Sequence, residues 1–363
     1  MYRTRKSEII NQETKIMIDP TLKTSDFSYD LPRELIASHP LPQRDASRML
    51  VVQGDKVYDK HIRDFLDYLQ PGDVVVFNNS RVIPARFKVD ANREMTLHTA
   101  TRDGCWWGFC RKYNKLKPGH LFKLADDTLV GVVSVREDVG VKLKFITDDV
   151  MACLERVGKM PLPPYMKREE ETEDRERYQT VYAHALGSMA APTAGLHFTP
   201  ELIEEIKKRG AKVVKITLHV GAGTWKAVTS EKVADHKMHS EWGRITQKHV
   251  DIINKAKRVI AVGTTSLRLL ETAAKNNTCR RRYKRVAPFV GTTRIFITPG
   301  FKFRAVDVLL TNFHLPQSTL FMLVSAFSGM DQMKAAYSHA VAEKYRFFSY
   351  GDCCLLFKQE KGE

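Results

Sequence analysis

Residues 258–275 read RVIAVGTTSLRLLETAAK, and this stretch decides the fold. Val259 to Val262 is a short apolar run, Gly263 interrupts it, Thr264, Thr265 and Ser266 present three consecutive hydroxyls, and leucines and alanines then recur at helical spacing. The pattern is strand, tight turn, helix. In HFTPELIEEIKKRG (197–210) Thr199 is placed to cap a helix with Pro200 at its first position. Early glutamates and late basic residues there match the helix dipole, and the strand AKVVKITLHVGAG (211–223) follows, stopping at glycines. AVDVLLTNFHLPQSTLFMLVSAFSG (305–329) repeats the order, with Ser318 before an almost wholly apolar and therefore buried helix. Three strand-loop-helix units predict an α/β domain.

Outward from these units the character changes. PGDVVVFNNSRVIPAR (71–86) predicts a turn, a strand over Val74–Phe77 and a polar corner carrying Arg81 and Arg86. Between Phe87 and Phe145, alternating stretches such as VKLKF (141–145) are separated by turn clusters and predict a small all-β domain. GKMPLPPYMKREEETEDRERYQT (158–180) reads as an exposed connector, and residues 1–24 as a flexible lead-in, with structure beginning near Phe27. MKAAYSHAVAEKY (333–345) predicts a last amphipathic helix with Met333, Ala336, Tyr337, Ala340 and Val341 on one face.

The chain has 363 residues, more than a single core usually serves, with 43% hydrophobic and 28% charged residues, so it folds rather than staying disordered. Lysine and arginine number 58 against 42 acids, a net charge of +16 that predicts a polyanionic partner such as nucleic acid. No run approaches the roughly 20 apolar residues of a membrane span, and the N-terminus lacks a secretory apolar region, so a cytoplasmic location is expected. The six cysteines show neither C-x-x-C nor zinc-finger spacing. Cys353 and Cys354 read as buried thiols in a strand.

Ligands of open α/β sheets collect where strands end and helices begin, and the polar clusters fall at such junctions. In HVGAGTW (219–225), Gly221 and Gly223 suit either close approach to a ligand or a tight turn; Thr264 and Thr265 offer donors to a carboxylate or phosphate. His219, His314 and His197 sit at strand ends or before a helix cap, from where each could reach a cleft or serve structurally. DHKMHSE (235–241) spaces two histidines three apart but shows no third ligand, so a metal site is not expected. CRRRYKR (279–285) is either a solvated loop or an RNA-phosphate contact through Arg280, Arg281, Arg282, Lys284 and Arg285. The aromatic and basic CWWGFCRKY (105–113) reads better as a core strand.

The blocks SDFSYDLPRELIASHPLPQRDASRML (25–50), PGDVVVFNNSRVIPAR, PLPPY, RYQTVYA, APTAGLHFTPELI, TLHVGAGTW, HKMHSE, VGTTSLRLLE, VDVLLTNFHLPQSTLFMLVSAF and AYSHAVAEKYRFFSYGD together closely resemble the bacterial S-adenosylmethionine:tRNA ribosyltransferase-isomerase family of queuosine biosynthesis. The resemblance runs from about residue 25 to the C-terminus. It implies an α/β main domain of residues 25–86 and 158–363, interrupted by an inserted all-β, barrel-like domain of residues 87–157. It also implies transfer and isomerisation of the ribosyl part of S-adenosylmethionine onto 7-aminomethyl-7-deazaguanine at the tRNA wobble position, giving epoxyqueuosine with loss of adenine and methionine. S-adenosylmethionine is then a co-substrate and no cofactor or metal is implied; the chain is expected to act as a monomer. Residues 1–24, the segment KNNTCRRRYKRVAPF (275–289), Arg294 and VDANREMTLHTA (89–100) depart from the family pattern.

Such a reaction needs a base beside the sulfonium, an acid for adenine and an anchor for the methionine carboxylate. Within the family blocks, His219 and His314 are the candidates for proton transfer. Arg81, Arg86, His197, Gly221, Gly223, Thr224, Lys237, His239, Glu241, Thr264, Thr265, Arg268 and Asn312 are the candidates for substrate contact. Trp225 or Phe313 could face the sulfonium. A methyltransferase would show a Gly-rich first strand-helix turn, which is not found, and a non-catalytic tRNA-binding protein would not need so many polar residues at strand ends.

Overall fold

The computed structural model describes residues 18–101, 103–137, 139–221, 228–277 and 284–359, and element counts refer to these described residues. In chain order, β1 (Arg48–Gln53) and β2 (Lys56–His61) form a hairpin, followed by β3 (Val74–Asn78) and the short β4 (Ser80–Val82). Six strands come next: β5 (Arg86–Asp90), β6 (Arg93–Ala100), β7 (Trp106–Cys110), β8 (Leu121–Lys123), β9 (Leu129–Arg136) and β10 (Gly140–Ile146). Helices α1 (Val150–Val157) and α2 (Asp174–Arg177) lead to β11 (Ala185–Ser188), α3 (Pro200–Lys208), β12 (Lys212–Leu218), β13 (Glu241–Ile245) and α4 (Gln247–Ile253). The chain ends with β14 (Val259–Val262), α5 (Thr264–Lys275), β15 (Phe289–Thr293), β16 (Val308–Asn312), α6 (Thr319–Ser328), α7 (Met330–Ala342) and β17 (Cys353–Phe357).

Nine strands form one mixed sheet in the order β15-β13-β12-β3-β14-β16-β17-β1-β2. The central four, β12, β3, β14 and β16, are mutually parallel, so their C-terminal ends share one edge. Side chains alternate between two apolar layers. Val74, Val76, Val259, Ala261 and Leu309 face α4 to α7, whereas Val75, Phe77, Ile260, Val262 and Leu310 face α3 and Phe65. Burial on both faces is why β3, β14 and β16 are continuous apolar runs in the sequence.

Short β4 and β11 pair with each other, and the remaining six strands make an antiparallel sheet in the order β5-β6-β7-β10-β9-β8, whose two edges approach each other in a nearly closed, barrel-like arrangement around its own core of Phe87, Leu97, Val130, Val141 and Phe145. The chain leaves and returns side by side: Arg86 N donates to Lys159 O at 3.2 Å and Lys159 N to Arg86 O at 2.7 Å. Gly158 permits that closeness, since a Cβ there would run into the Pro84 carbonyl. CWWGFC supplies β7, the strand reading of that stretch.

The helix signals hold in detail. Thr199 Oγ1 accepts from Leu202 N, Ser318 Oγ accepts from Phe321 N, and α7 buries Met333, Ala336, Tyr337 and Ala340, with Val341 half-buried. Cys353 and Cys354 are fully buried in β17.

Two expectations need correction. Residues 158–180 are not an exposed connector: Leu162, Met166 and Tyr178 are buried with Ala37 and Tyr350, and Arg168 grips Asp174 through two bonds of 2.6 and 2.8 Å. The dense charge hid an apolar face. The described part of the lead-in, residues 18–24, is also packed: Leu22 lies against the core, Thr24 Oγ1 donates to Ser230 O at 2.7 Å and Lys23 bridges Lys232. Residues 1–17 lie outside the described set.

Candidate active site

At the shared edge of the parallel strands the chain opens a cleft of about 620 Å³. Its floor is Gly263, Thr264 and Thr265 around the start of α5, with Thr311 and Asn312 at the end of β16 and Phe313 and His314 just beyond, and its far wall is Tyr165, Phe348 and Ser349. Gly263 holds φ +87, which turns β14 abruptly into α5. No side chain caps α5, and the Thr265 and Ser266 hydroxyls are buried without a partner among the described residues. Free N–H groups at the positive end of a helix dipole favour an anionic or electron-rich ligand there.

A second groove of about 500 Å³ lies alongside, and Leu320 at the start of α6 lines both. Arg268, one turn further along α5, and Glu241 at the start of β13 meet in it as a buried ion pair. Glu241 Oε1 also accepts from Gly221 N at 3.2 Å, while Arg268 Nη2 is buried with no protein partner among the described residues. His239 lines this groove, and His236 packs edge-on against Phe296 at 5.4 Å. Lys237 is exposed beside them. DHKMHSE thus lines the groove through His236, Met238, His239 and Glu241.

The histidines differ sharply. Burial pulls His314 down to about 3. Its ring bonds Thr311 Oγ1 at 3.1 Å, and its backbone is held by Tyr337 OH and Tyr29 OH. It is therefore a neutral imidazole on the cleft wall. His219, half-buried and lowered by the same cause, bonds Ser80 Oγ at 2.7 Å and stacks on Trp242 at 5.3 Å. It does not line the cleft, although its neighbour Val220 does, so the structure does not bring the two candidates into one wall.

His197 is held on both sides within the protein. Its Nδ1 bonds Ser47 Oγ at 2.8 Å and its Nε2 bonds the Asn312 amide at 3.2 Å, so both ring nitrogens are occupied. Burial, then Arg346 and Arg44, lower it to about 4. Asn312 Nδ2 also donates to Phe348 O at 3.0 Å, leaving its Oδ1 unpartnered in the cleft lining.

Both buried histidines fix a pH dependence. In the unfolded chain they titrate near the ordinary 6.5, and in the fold near 3 and 4. Below pH 6.5 the unfolded chain binds protons that the fold refuses. Stability is therefore full above that pH and falls with acidification toward the folded values, at up to about 1.4 kcal/mol per pH unit for each ring. Urea unfolding between about pH 7 and 4 should show this slope, and His314→Gln should remove one ring's share; an unchanged slope would rule out the buried neutral ring as its source.

Arg86 is held by Glu94 at 2.6 Å and Glu169 at 3.5 Å, where the barrel-like unit joins the main sheet, and is no free phosphate ligand. Arg285 pairs with Asp307 at 2.8 Å and bonds the Ala305 and Lys257 carbonyls. Lys284 and Arg81 are exposed. Arg280, Arg281, Arg282, Gly223, Thr224 and Trp225 lie outside the described residues. Phe313 is fully buried among Tyr337, Tyr345 and Phe347, so the half-buried Tyr165 and Phe348, tilted against each other with centroids 4.1 Å apart, are the aromatic faces nearer the opening. Sequence reading missed these two and Ser349, although PLPPY and FFSYGD carried them.

The chain carrying this cleft is similar to known proteins over nearly its whole length. Residues 24–356 match the family model described as queuosine biosynthesis protein, and the chain belongs to that family. It is 48% identical over 343 residues to the S-adenosylmethionine:tRNA ribosyltransferase-isomerase of Rhodospirillum rubrum, covering 92% of this chain and 98% of the relative. It is 46% identical over 370 residues to that of Caulobacter vibrioides, covering 93% and 100%. The crystal structure of S-adenosylmethionine tRNA ribosyltransferase from Thermotoga maritima is similar with a TM-score of 0.53 and 35% identity, covering 91% of this chain and 99% of that one.

Proposed function

We infer that this chain is an S-adenosylmethionine:tRNA ribosyltransferase-isomerase, a transferase that moves and rearranges the ribosyl group of S-adenosylmethionine onto 7-aminomethyl-7-deazaguanine in tRNA, releasing adenine and methionine. The observation that carries the reading is near full-length similarity to relatives of that name, joined to a two-part site whose chemistry suits this co-substrate. Supporting it, Arg268 Nη2 is a buried donor without a partner among the described residues, placed to take the methionine carboxylate, with Glu241, itself held by the Gly221 N–H, on the guanidinium's other side. The start of α5 and Asn312 Oδ1 would meet the polar edge of the adenosyl group, while Tyr165 and Phe348 face its cation.

The sulfonium acidifies the adjacent ribose carbon, so a base can remove a proton to an ylide, and departing adenine needs a proton in return. His314 is a neutral imidazole on the cleft wall and is the candidate to take the ribose proton and pass a proton to the departing adenine. His219, behind Val220, is the alternative base. The discontinuous α/β domain of 25–86 and 158–363 with an inserted domain of 87–157 belongs to this proposal, supported by the separate apolar cores. So do a monomeric state and a cytoplasmic site of action; among the described residues no helix is long and apolar enough to cross a membrane.

The test is nucleoside mass analysis of tRNA bearing the deazaguanine amine after incubation with the protein and S-adenosylmethionine. The wobble nucleoside should gain an epoxycyclopentane; a gained methyl group, or no change, would sink the assignment. A chelator should leave the yield unchanged, and a chelator-sensitive yield would overturn the metal-free reading.

A further inference from the structure

Most half-buried arginines of this chain sit on carboxylates, as Arg168 does on Asp174, Arg258 on Asp73 and Arg285 on Asp307. Three others do not. Arg44 donates to the Leu196 and Glu176 carbonyls at 3.4 and 3.0 Å, Arg177 to the Pro42 and Leu41 carbonyls at 3.0 and 2.5 Å, and Arg346 to the His39 carbonyl at 2.5 Å. Among the described residues none of the three forms an ion pair with a carboxylate. The nearby Asp352 spends its oxygens on the backbone N–H groups of Arg48 at 2.9 Å and Arg346 at 2.8 Å. Arg177 Nε and Arg346 Nη1 are buried with no acceptor.

These side chains converge. Arg44 and Arg177 wall a pocket of about 280 Å³ together with His197 and Ser349, and both Arg44 and Arg346 act electrostatically on the His197 ring. Backbone carbonyls fix the forks, and Glu176 and Asp352 act on Arg44 and Arg346 electrostatically without pairing with them, so among the described residues the half-buried charges still lack an anion in hydrogen-bond contact. Planar guanidinium groups with spare N–H donors match a phosphate's oxygens. Ser349 lines both this pocket and the cleft, so an anion here would sit immediately beside whatever base enters the cleft. His197 links the two, through Ser47 on one side and Asn312 on the other.

We propose that the pocket walled by Arg44 and Arg177, and flanked by Arg346 on the His39 carbonyl, binds a phosphodiester of the RNA substrate, the one flanking the nucleotide whose base occupies the cleft. The proposal rests on the tRNA reading above. It assigns backbone recognition to arginines scattered through LPQRD, DRERY and KYRFF rather than to the basic run at 280–285.

The test is binding of a labelled anticodon stem-loop RNA carrying the deazaguanine amine to the full chain over a range of salt, with the KM for S-adenosylmethionine measured alongside. Arg44→Gln and Arg346→Gln should each weaken RNA binding roughly 10-fold and flatten the plot of log Kd against log salt by about 0.7, with KM for S-adenosylmethionine unchanged. Arg44→Lys, which keeps the charge but not the fork, should recover most of the slope. Unaltered affinity and slope would overturn the proposal. So would a rise in the KM for S-adenosylmethionine with RNA binding kept, which would make the anion that molecule's carboxylate. Equal losses in the Gln and Lys variants that track a lowered melting midpoint would reduce the arginines to backbone staples and overturn it too. A wild-type chain that releases no adenine sinks the functional reading itself, whereas an active wild type with indifferent variants sinks the pocket alone.

Discussion

Arg268→Ala should abolish measurable turnover and destabilise the fold by about 3–5 kcal/mol, because it strands the Glu241 carboxylate in the interior. The pair is almost wholly buried, with side chains 7% and 5% exposed, so neither charge is rescued by water. Stability and function should separate in the double variant Arg268→Met, Glu241→Leu. With no orphaned charge it should regain most of the lost stability, since buried pairs are often replaceable by apolar residues of similar volume. It should remain inactive, because the guanidinium donor for the methionine carboxylate is gone. Glu241→Ala alone should raise the KM for S-adenosylmethionine as well as destabilise. Chemical unfolding read together with kinetics decides the matter: a double variant that is both stable and active would show that the pair is structural and the carboxylate is held elsewhere.

His314→Ala should lower kcat by about 10²- to 10⁴-fold while leaving tRNA affinity nearly unchanged, the range expected when a positioned proton-transfer group is removed. The ring is held on three sides, by Thr311 at the side chain and by Tyr337 and Tyr29 at the backbone, so the wild-type geometry is stiff. With its proton affinity so low, His314 should contribute no acid limb to the rate near neutrality. An acid limb that survives His314→Ala and disappears in His219→Ala would instead transfer the base role to His219, whose proton affinity burial lowers. Wild-type turnover in both variants would exclude both.

The fold was legible where local chemistry and tertiary packing agree. In RVIAVGTTSLRLLETAAK the apolar run, Gly263 and the leucine spacing each have a local cause, and β14 and α5 fall where those signals put them. The segment at 158–180 was misread because its charges are mutually satisfied: Arg168 and Asp174 are a buried pair, yet in sequence they look like solvated surface. Pairing of that kind depends on the three-dimensional approach of Tyr350 and Ala37, which no local window contains. The site was legible by element and not by role. Thr264, Thr265, Asn312 and His314 do meet at one cleft, as strand ends of a parallel sheet must. What spacing cannot show is which charges end up neutralised. Arg86 and Arg285 found acids, while Arg44, Arg177 and Arg346 found only carbonyls.

The most direct test of the account is the small-molecule stoichiometry of one turnover, with S-adenosylmethionine and tRNA bearing the 7-aminomethyl-7-deazaguanine. Adenine and methionine should appear together, one of each for every tRNA modified. Release of S-adenosylhomocysteine, or of neither product while tRNA still binds, would contradict it.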